Sequence, residues 1–471
     1  MPTLSKTPEE AGQQLTRDDL TWGAELGQAI TLTYGFRSTA PLYNSASHNQ
    51  QGTFPPLDAA EIEAATLALG LWADVANVEL VRVSEGDGYS DEATILFGNY
   101  SSTSDGHMAF AYYPDPQHME GSSQAGDVWL NQYYFEAPQL PAGYKFMTLL
   151  HEIGHVLGLE HPGDYDASDG GPISYASSAD YIEDSRQYTV MSYFSAANTN
   201  AYHAEAYAST PLMHDIVALQ RLYGANSSTR DGDTIYGFDS NADRDGFHIE
   251  TAQDIVVFCI WDGGGIDTLN LSGFANDQSI DLNPGTFSNG GRLTANISIA
   301  PGAIIENALG GAGDDLIRGN DASNMLYGGA GADTLDGGDG ADTLDGGAGR
   351  DALFGGEGAD FFIFAASSVG KRRPADFVAD FSDFDGDRID LSAIDARKFV
   401  GGNQKFKFIG SHDFTEKAGE LRFANGKVMG DVDGDGRADF LIVVDGSDFA
   451  GAGADDLRTT SFKLHAGDFI L

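Results

Sequence analysis

The stretch HEIGHVLGLEHPG places three histidines, His151, His155 and His161, four and then six residues apart, with Glu152 beside the first. On an α-helix, side chains four residues apart share one face, so His151 and His155 can reach the same ion. Six further helical residues would carry His161 about 9 Å along the axis. Gly158 removes this obstacle, because glycine readily adopts the left-handed conformation that ends a helix and reverses the chain. The spacing therefore predicts a three-histidine metal site.

Three neutral nitrogen ligands and an open fourth position are typical of catalytic zinc rather than structural zinc. Zinc lowers the pKa of a bound water to about 7. Glu152 is displaced by one residue around the helix, so we expect it beside the ion as a general base that takes a proton from the attacking water and passes it to the leaving amine. The zinc would polarise the carbonyl that is attacked. The other eight histidines are not grouped in this way, and we interpret them as packing or surface residues.

The elements that must position these residues read as mixed α and β. The periodicity predicts a helix from about Tyr144 through the motif, and a helix over 58–75 that opens with Asp58 and Glu61 in a capping-box pattern. Another helix is predicted over 211–224, with Leu212, Ile216, Leu219 and Leu222 along one stripe and an end at Gly224. Strands are predicted at AITLTYGF, VELVRV, ATILFG and DVWLN. We predict an α+β catalytic domain, a twisted sheet plus the long helix of the motif, over 1–225.

From Gly310 the sequence forms six consecutive nine-residue repeats, here called nonads, over 310–363. The sixth position is Asp in five of them and Asn324 in the second, and the eighth is always large and apolar. A period of nine is the signature of a parallel β-solenoid, with the eighth residues pointing inward. We therefore predict an all-β second domain, a parallel β-roll or β-sandwich, over 226–471, with the boundary inside ANSSTRDGD. A flexible glycine linker would not keep this register.

The nonads also predict calcium sites. A glycine-rich turn that ends in Asp exposes backbone carbonyls and a carboxylate, which are hard oxygen ligands suited to Ca²⁺. Stacked turns can share each ion between nonads 18 residues apart. Residues 310–363 contain eleven Asp or Glu and only two Arg, so we expect this segment to repel itself and to fold only with calcium.

The composition limits the partners of the chain. The formal net charge of −45 argues against binding to nucleic acid or to an anionic membrane, because phosphate binding requires Lys and Arg. The single cysteine, Cys259, excludes an intramolecular disulfide and reads as a buried strand residue. The N-terminus has no basic and apolar regions of a Sec signal, and no apolar run is long enough to span a membrane.

The pattern H-E-x-x-H-x-x-G-x-x-H resembles that of the metzincin metallopeptidases. The segment TVMSYF resembles their methionine turn, with Met191 as an apolar floor beneath the zinc. AFAYYP, HPGDYDA, IEDSRQYTVMSYF and DIVALQRLYGAN resemble segments of the serralysin branch, and the resemblance runs over nearly the whole chain. It implies a zinc endopeptidase in which Tyr193 ligates the metal, swings away when substrate binds and then helps to hold the oxyanion. It also implies that substrate lies extended beside an edge strand near AFAYYP.

The resemblance further implies a set of calcium ligands. In the nonads these come from positions two, four and six of one repeat and one, three and six of the repeat 18 residues later; another family site precedes the repeats. Carried over residue by residue, the set is Arg230, Gly232, Thr234, Asp262, Gly264, Gly265, Asp267, Glu306, Gly311, Gly313, Asp315, Asn320, Ala322, Asn324, Gly328, Gly329, Ala330, Gly331, Asp333, Gly337, Gly338, Asp339, Gly340, Asp342, Gly346, Ala348, Asp351, Gly355, Glu357, Asp360, Asp380 and Asp387. DVDGDGRADF has EF-hand-like Asp spacing but no loop-closing Glu.

The last four residues, Asp-Phe-Ile-Leu, resemble the uncleaved export signal of type I secreted repeat proteins, which implies an extracellular protein. The expected partners are protein or peptide substrates, the type I secretion machinery and a proteinaceous inhibitor, and we expect a monomer. One alternative is a calcium-dependent adhesin or binding module with an incidental zinc site, although such a site has no use for Glu152. An exported lipase is disfavoured because no G-x-S-x-G occurs in the chain.

Overall fold

The computed structural model describes residues 2, 4–43, 54–84, 88–103, 106–135, 143–167, 171–366, 375–445 and 463–471. Over these residues the chain forms an N-terminal part with helices and a five-stranded sheet, and a C-terminal part whose regular elements are almost all short strands. None of the helices in the described ranges has the length and apolar character needed to cross a membrane.

In its described residues the N-terminal part contains five α-helices and five strands. The helices are α1 (Pro8–Gln14), α2 (Ala59–Val75), α3 (Tyr144–Val156), α4 (Tyr175–Ser178) and α5 (Met213–Tyr223). The strands are β1 (Ile30–Phe36), β2 (Val78–Arg82), β3 (Ile95–Tyr100), β4 (Ala109–Ala111) and β5 (Asp127–Asn131). Their order in the sheet is β2-β1-β3-β5-β4, parallel except for β4, which pairs antiparallel with β5 at the edge. The predicted strands are all present, and β4 is the edge strand at AFAYYP.

Helix α2 supports the helix that carries the metal motif. The carboxylate of Asp58 accepts the amide of Glu61 over 2.9 Å, and Glu61 accepts the amide of Asp58 over 2.8 Å, which forms the predicted capping box. One face of α2 is buried, and Trp72 on that face donates its indole N–H to the carbonyl of Leu150 in α3 over 3.1 Å. The two helices therefore pack directly against each other.

Helix α5 begins at Met213, two residues later than the start of the predicted segment, because Leu212 has extended backbone geometry as the N-cap. Its end at Gly224 is as predicted, with a backbone φ of +80°. Leu212, Ile216, Leu219 and Leu222 are all buried, as the stripe predicted.

The C-terminal part contains 22 strands in the described residues. They are β6 (Ile235–Gly237), β7 (Phe258–Ile260), β8 (Thr268–Asn270), β9 (Ser279–Asp281), β10 (Phe287–Ser288), β11 (Ile297–Ile299), β12 (Asn307–Leu309), β13 (Leu316–Arg318), β14 (Met325–Tyr327), β15 (Ala330–Gly331), β16 (Thr334–Asp339), β17 (Thr343–Asp345), β18 (Ala348–Gly349), β19 (Ala352–Glu357), β20 (Phe361–Ala365), β21 (Asp376–Val378), β22 (Arg388–Ala393), β23 (Lys407–Phe408), β24 (Glu420–Phe423), β25 (Lys427–Asp431), β26 (Phe440–Val444) and β27 (Phe469–Ile470). The two main sheets have the orders β27-β22-β20-β17-β14-β12-β8-β6 and β23-β24-β25-β26-β21-β19-β16-β13-β9.

The nonads build the central strands of both sheets. Successive nonads alternate between the sheets, so each strand pairs in parallel with the strand 18 residues later, as in Ile317 with Leu335 and Leu326 with Leu344. The eighth residue of every nonad is at most 1% exposed and points into the space between the sheets: Ile317, Leu326, Leu335, Leu344, Leu353 and Phe362. The predicted β-roll and its apolar core are confirmed. Cys259 is buried in β7, also as predicted.

An ion-pair network links α2 to the first turns of the C-terminal part. Asp74 at the end of α2 accepts two hydrogen bonds from Arg244, over 2.8 and 2.9 Å, and one from Arg230 over 3.1 Å. Arg230 also donates to the carbonyl of Trp261 over 2.8 Å. The contact joins residues on both sides of the predicted boundary at 225, and that boundary stays a prediction.

Candidate metal centre and repeat turns

The metal motif lies on α3 and on the turn that follows it. His151 and His155 are one turn apart on the helix, which ends at Val156. Gly158 has a φ of +103°, its amide donates to the carbonyl of His155 over 3.0 Å, and the amide of Leu159 donates to the carbonyl of Gly154 over 2.9 Å. This pair of bonds is the Schellman termination of a helix. The reversal at Gly158 brings His161 back to the two helical histidines.

The three imidazoles converge through their Nε2 atoms. Nε2 of His161 lies 3.1 Å from that of His155 and 3.2 Å from that of His151. Each Nδ1 faces a backbone carbonyl instead: His151 that of Val190 (2.9 Å), His155 that of Leu159 (2.8 Å) and His161 that of Tyr165 (2.8 Å). A carbonyl only accepts, so each Nδ1 carries the proton and each Nε2 presents a lone pair.

Three lone pairs that face one another fit a bound cation. Neutral imidazoles cannot hydrogen-bond to each other when neither facing nitrogen carries a proton. In a tetrahedral zinc site with zinc–nitrogen bonds of 2.0–2.1 Å, the nitrogens are about 3.4 Å apart, close to the spacing seen here. Burial lowers the pKa of all three histidines, to about 3 for His155, which keeps the rings neutral as metal ligands must be. The donor set therefore fits zinc.

Glu152 is 6% exposed and lies on the wall of the cavity that also contains His151. Burial, with a smaller contribution from Asp166, raises the pKa of Glu152 to about 8. Its carboxylate accepts no hydrogen bond from the described residues. The side chain is thus beside the histidine cluster and free to exchange a proton with a molecule in the cavity.

Met191 and Tyr193, both in the predicted methionine turn, lie close to the cluster. Met191 is fully buried, and its sulfur would be 2.6 Å from a Cβ built on Gly154, which shows how closely it packs beneath α3. The ring of Tyr193 lies 4.6 Å from the ring of His161 and 5.8 Å from that of His151, measured between centroids. Burial raises the pKa of the Tyr193 phenol. The predicted methionine turn is therefore next to the three histidines.

The cleft at the cluster has a volume of about 450 Å³. Its lining runs from the residues that lead into the edge strand β4, Gly106 to Ala109, across α3 to Val190 and Tyr193. An extended chain beside β4 would therefore pass the histidine cluster.

Two buried aspartates support the cluster, and no motif in the sequence marks them. Asp215 on α5 accepts the amide of Val190 over 2.9 Å, and Val190 is the residue whose carbonyl holds His151. Asp184 accepts the hydroxyl of Tyr165 over 3.0 Å, and the carbonyl of Tyr165 holds His161. Both aspartates are fully buried. Each fixes the orientation of one histidine of the cluster through one intervening residue.

The aspartates of the nonads form two ladders along the roll. The amide of Asp315 donates to Oδ1 of Asp333 over 2.8 Å, and that of Asp333 donates to Asp351 over 3.0 Å. On the other side, Asp342 donates to Asp360 over 2.9 Å and Asp360 to Asp387 over 3.0 Å.

The second carboxylate oxygen, Oδ2, has no hydrogen-bond partner and is buried in each of Asp333, Asp342, Asp351 and Asp360. Burial, together with the neighbouring aspartates, raises the pKa of Asp333, Asp342 and Asp351 to about 7. A buried acceptor without a donor is costly unless a cation binds it. This donor set fits calcium.

The remaining predicted carbonyl ligands of the nonads lie in the turns or at the strand ends that lead to these aspartates. The second nonad differs from the others. The side-chain amide of Asn324 donates to the carbonyl of Glu306 over 2.9 Å and to Oδ1 of Asn320 over 3.0 Å, so its side chain is satisfied within the protein. The predicted ligands Asn320, Ala322 and Asn324 therefore have a weaker basis in the structure than the aspartate turns.

The structure also brings together the acidic residues of the calcium site that was predicted N-terminal to the nonads. Asp267 accepts the amide of Thr234 over 2.7 Å with Oδ1, while its Oδ2 is buried without a partner. Its own amide donates to Glu306 over 2.7 Å. Asp262 accepts the amide of Gly264 over 2.8 Å. The carboxylates of Asp262, Asp267 and Glu306 thus lie around one turn next to the 230–234 loop.

Beyond the repeats, Asp380, one of the predicted calcium ligands, accepts the amides of Gly355 and Gly356, each over 3.0 Å, and so lies beside the last nonad. Asp376 was not predicted, yet it accepts the amide of Asp351 over 3.1 Å and so ends one ladder. It follows the nonads after a segment that breaks the period of nine, so the repeat gave no signal for it. Asp431, Asp433 and Asp435 have carboxylate oxygens within 4.8 Å of one another, as their EF-hand-like spacing suggested.

Both parts of the chain match known protein families. Residues 73–203 match the family described as "Metallo-peptidase family M12", and residues 225–454 match "Peptidase M10 serralysin C terminal". The chain is 46% identical to the metallopeptidase AprA of Pseudomonas marginalis, covering 94% of this chain and 90% of the relative. It is 44% identical to the metalloprotease AprA of Pseudomonas entomophila (strain L48), over 94% of this chain and 89% of the relative. A serralysin of Proteus mirabilis is 42% identical over 68% of this chain and 65% of its own length.

These relatives confirm the resemblance that the zinc motif and the nonads indicated. Identity at this level over nearly the full length of both proteins extends through the metal centre and the roll alike. The chain belongs to the serralysin family of metalloproteases.

Proposed function

We propose that this chain is a secreted zinc endopeptidase in which His151, His155 and His161 hold the metal and Glu152 is the general base. One observation carries the proposal: three Nε2 lone pairs converge beside a buried carboxylate in an open cleft. When bound there, zinc would supply a Lewis acid for the carbonyl that is cleaved. The adhesin alternative is not favoured, since the relatives named above are metalloproteases.

Each residue of the site has its own role in the proposed hydrolysis. Glu152 takes a proton from the attacking water and delivers it to the amine that leaves. Tyr193, whose ring lies against His161, would be an additional ligand when the metal is bound, and its hydroxyl would donate a hydrogen bond to the oxyanion. Met191 closes the site from below. The hydrogen bonds from Nδ1 to Val190, Leu159 and Tyr165 keep each imidazole oriented for the metal.

The substrate is a protein or peptide that binds as an extended strand along β4. Among the described residues this strand pairs only with β5, so its other edge offers backbone groups to a substrate beside the cleft. Hydrogen bonds to the substrate backbone do not themselves require a particular side chain, so many proteins can bind in this way.

In this proposal, calcium ions bind in the turns of the roll, at the ligands predicted from the sequence. The chain is exported by a type I system, folds outside the cell where calcium is abundant, acts as a monomer and is a target for a proteinaceous inhibitor. The basis for folding with calcium is the net charge of −45 together with the buried, partnerless oxygens of the aspartate ladders. The same charge disfavours nucleic acid and anionic membranes as partners.

The test is casein digestion combined with metal analysis. Wild-type protein should contain one zinc per chain and digest casein, and a zinc chelator should abolish digestion. Glu152→Ala should keep zinc and fold but lose at least about a hundredfold in rate. Tyr193→Phe should lower turnover with zinc retained. Wild-type caseinolysis by Glu152→Ala would overturn the proposed mechanism.

A further inference from the structure

Arg186 lies in the wall of the cavity that contains His151 and Glu152. A second cavity, of about 290 Å³, shares Met147 and Arg186 with the first and is otherwise lined largely by alanines. Arg186 therefore lies where the cleft continues away from the histidine cluster, within reach of a substrate that occupies both cavities.

The guanidinium of Arg186 is held in place. Its Nε donates to the carbonyl of Ser192 over 3.1 Å, its backbone amide donates to the carbonyl of Phe194 over 2.9 Å, and its Cζ lies 5.5 Å from the ring centroid of Tyr144. These contacts fix the plane of the guanidinium and occupy only Nε. The two Nη groups remain as a preorganised fork, the arrangement that binds a carboxylate through two parallel hydrogen bonds.

Among the described residues, no carboxylate lies within ion-pair distance of Arg186. Three other arginines of the N-terminal part have acidic partners: Arg17 pairs with Glu160, Arg37 with Asp127 and Arg221 with Asp19. Arg82 also has no carboxylate partner among the described residues, but it is exposed and lies far from the cleft on β2. The chain has 71 acidic residues, yet none of those described pairs with the partly buried guanidinium of Arg186. A carboxylate of the substrate can therefore bind to this guanidinium in the cleft. Its positive charge also reaches the cluster, since it contributes to the lowered pKa of His151.

We propose that Arg186 determines specificity by binding the carboxylate of an Asp or Glu side chain of the substrate, within two residues of the scissile bond. The proposal rests on the proposed endopeptidase function. An extended peptide advances about 3.3 Å per residue, so a cavity of about 450 Å³ takes the side chains adjacent to the bond that is cleaved. A charge-assisted, bidentate contact in a partly buried cleft corresponds to a preference of about five- to tenfold over the neutral amide.

The experiment uses the full chain loaded with zinc and calcium. A proteome-derived peptide library, analysed by mass spectrometry, first identifies the position at which Asp and Glu are enriched. Matched peptides with Glu or Gln at that position then give the ratio of kcat/KM. We expect a ratio of at least about five for wild-type protein, expressed mainly in KM, that declines with added salt as the ion pair is screened.

Arg186→Gln should lower the ratio to about one, and Arg186→Lys should retain part of it because the charge remains without the fork. The matched control is Arg82→Gln, an exposed arginine on β2 at the opposite edge of the sheet, which should keep the wild-type ratio. Absence of acidic enrichment in wild-type protein, or an unchanged ratio in Arg186→Gln, would overturn the proposal. If wild-type protein cleaves the Gln peptide but shows no preference for Glu, only the role of Arg186 is wrong. If it cleaves neither peptide, the proposed endopeptidase function is wrong.

Discussion

Asp215 on α5 accepts a hydrogen bond from the backbone amide of Val190 over 2.9 Å, and the carbonyl of the same Val190 accepts Nδ1–H of His151. Asp215 also accepts the hydroxyl of Thr189 and, over 2.8 Å, the amide of Leu212. A fully buried carboxylate thus connects the start of α5, the methionine turn and one histidine of the cluster.

We predict that Asp215→Ala weakens zinc binding by about 10- to 100-fold, because the donors on Thr189 and Val190 lose their acceptor and the carbonyl that orients His151 shifts. Zinc affinity is measured by competition with a chromophoric chelator, on protein whose circular dichroism matches wild type. Asp19→Ala is the control, since Asp19 is 56% exposed and pairs with Arg221, which lies on α5 as Asp215 does. Equal zinc affinity in wild-type protein and folded Asp215→Ala would contradict this role.

Gly158→Ala tests the chain reversal itself. The φ of +103° is unfavourable for any residue with a Cβ, and a Cβ here would lie 2.0 Å from the carbonyl oxygen of Leu20. We expect a loss of about 3 kcal/mol or more in the free energy of unfolding, together with loss of bound zinc. Thermal unfolding and metal analysis provide the measurements.

The control for this change is Gly171→Ala, where a Cβ would meet no atom within 4 Å and φ is not positive. Its melting temperature and zinc content should equal those of wild-type protein. A Gly158→Ala protein with full zinc content would show that the turn does not need glycine.

The local parts of the site could be predicted because their geometry depends on neighbours in sequence. Helical spacing places His151 and His155 on one face, and Gly158 alone accounts for the return of His161. Likewise the period of nine gives both the inward residues and the aspartate ladders of the roll. In each case the physical constraint and the residues that express it lie within one short segment.

The supporting contacts could not be predicted in the same way. Asp215 reaches Val190 from a helix 25 residues away, and Asp184 reaches Tyr165 across 19 residues. A single buried Asp has no pattern, because its partners are backbone groups whose positions depend on the tertiary fold. Asp376 joins a ladder only after a break in the repeat, and the start of α5 was placed two residues too early because Leu212 caps the helix rather than continuing it.

Removal of calcium should unfold the roll before the N-terminal part. Without a cation, the buried Oδ2 atoms of Asp267, Asp333, Asp342, Asp351 and Asp360 have no partner, and the carboxylates of each ladder repel one another. A calcium-selective chelator should therefore abolish the strand signal in far-ultraviolet circular dichroism, and added calcium should restore it. An unchanged spectrum in the chelator would remove the link between ion binding and folding.

Asp184, the second aspartate that supports the histidine cluster, should make the free energy of unfolding depend on pH. Burial raises the pKa of Asp184 to about 7, although hydrogen bonds from Ser192 and Tyr165 act in the opposite direction. Asp180, Tyr175 and Tyr181 are the other titratable groups that interact with it. Because the folded-state pKa lies above the unfolded value of about 3.9, the folded chain binds the extra proton between these values, and stability from this group declines as pH rises from about 4 to 7.

Asp184→Asn removes this titration while keeping an oxygen that can accept from Ser192 and Tyr165, and it places an amide nitrogen where Oδ2 has no partner. Relative to wild type, the variant should therefore gain about 2 kcal/mol in the free energy of unfolding between pH 5 and pH 8, and gain little more above pH 8. Urea titrations of both proteins at each pH, in saturating calcium and zinc, give the difference. Ser177→Ala serves as the control because Ser177 is exposed and carries no titratable group, so its difference from wild type should be flat over this range. A flat difference for Asp184→Asn as well would mean that Asp184 is ionised throughout and that its hydrogen bonds outweigh its burial.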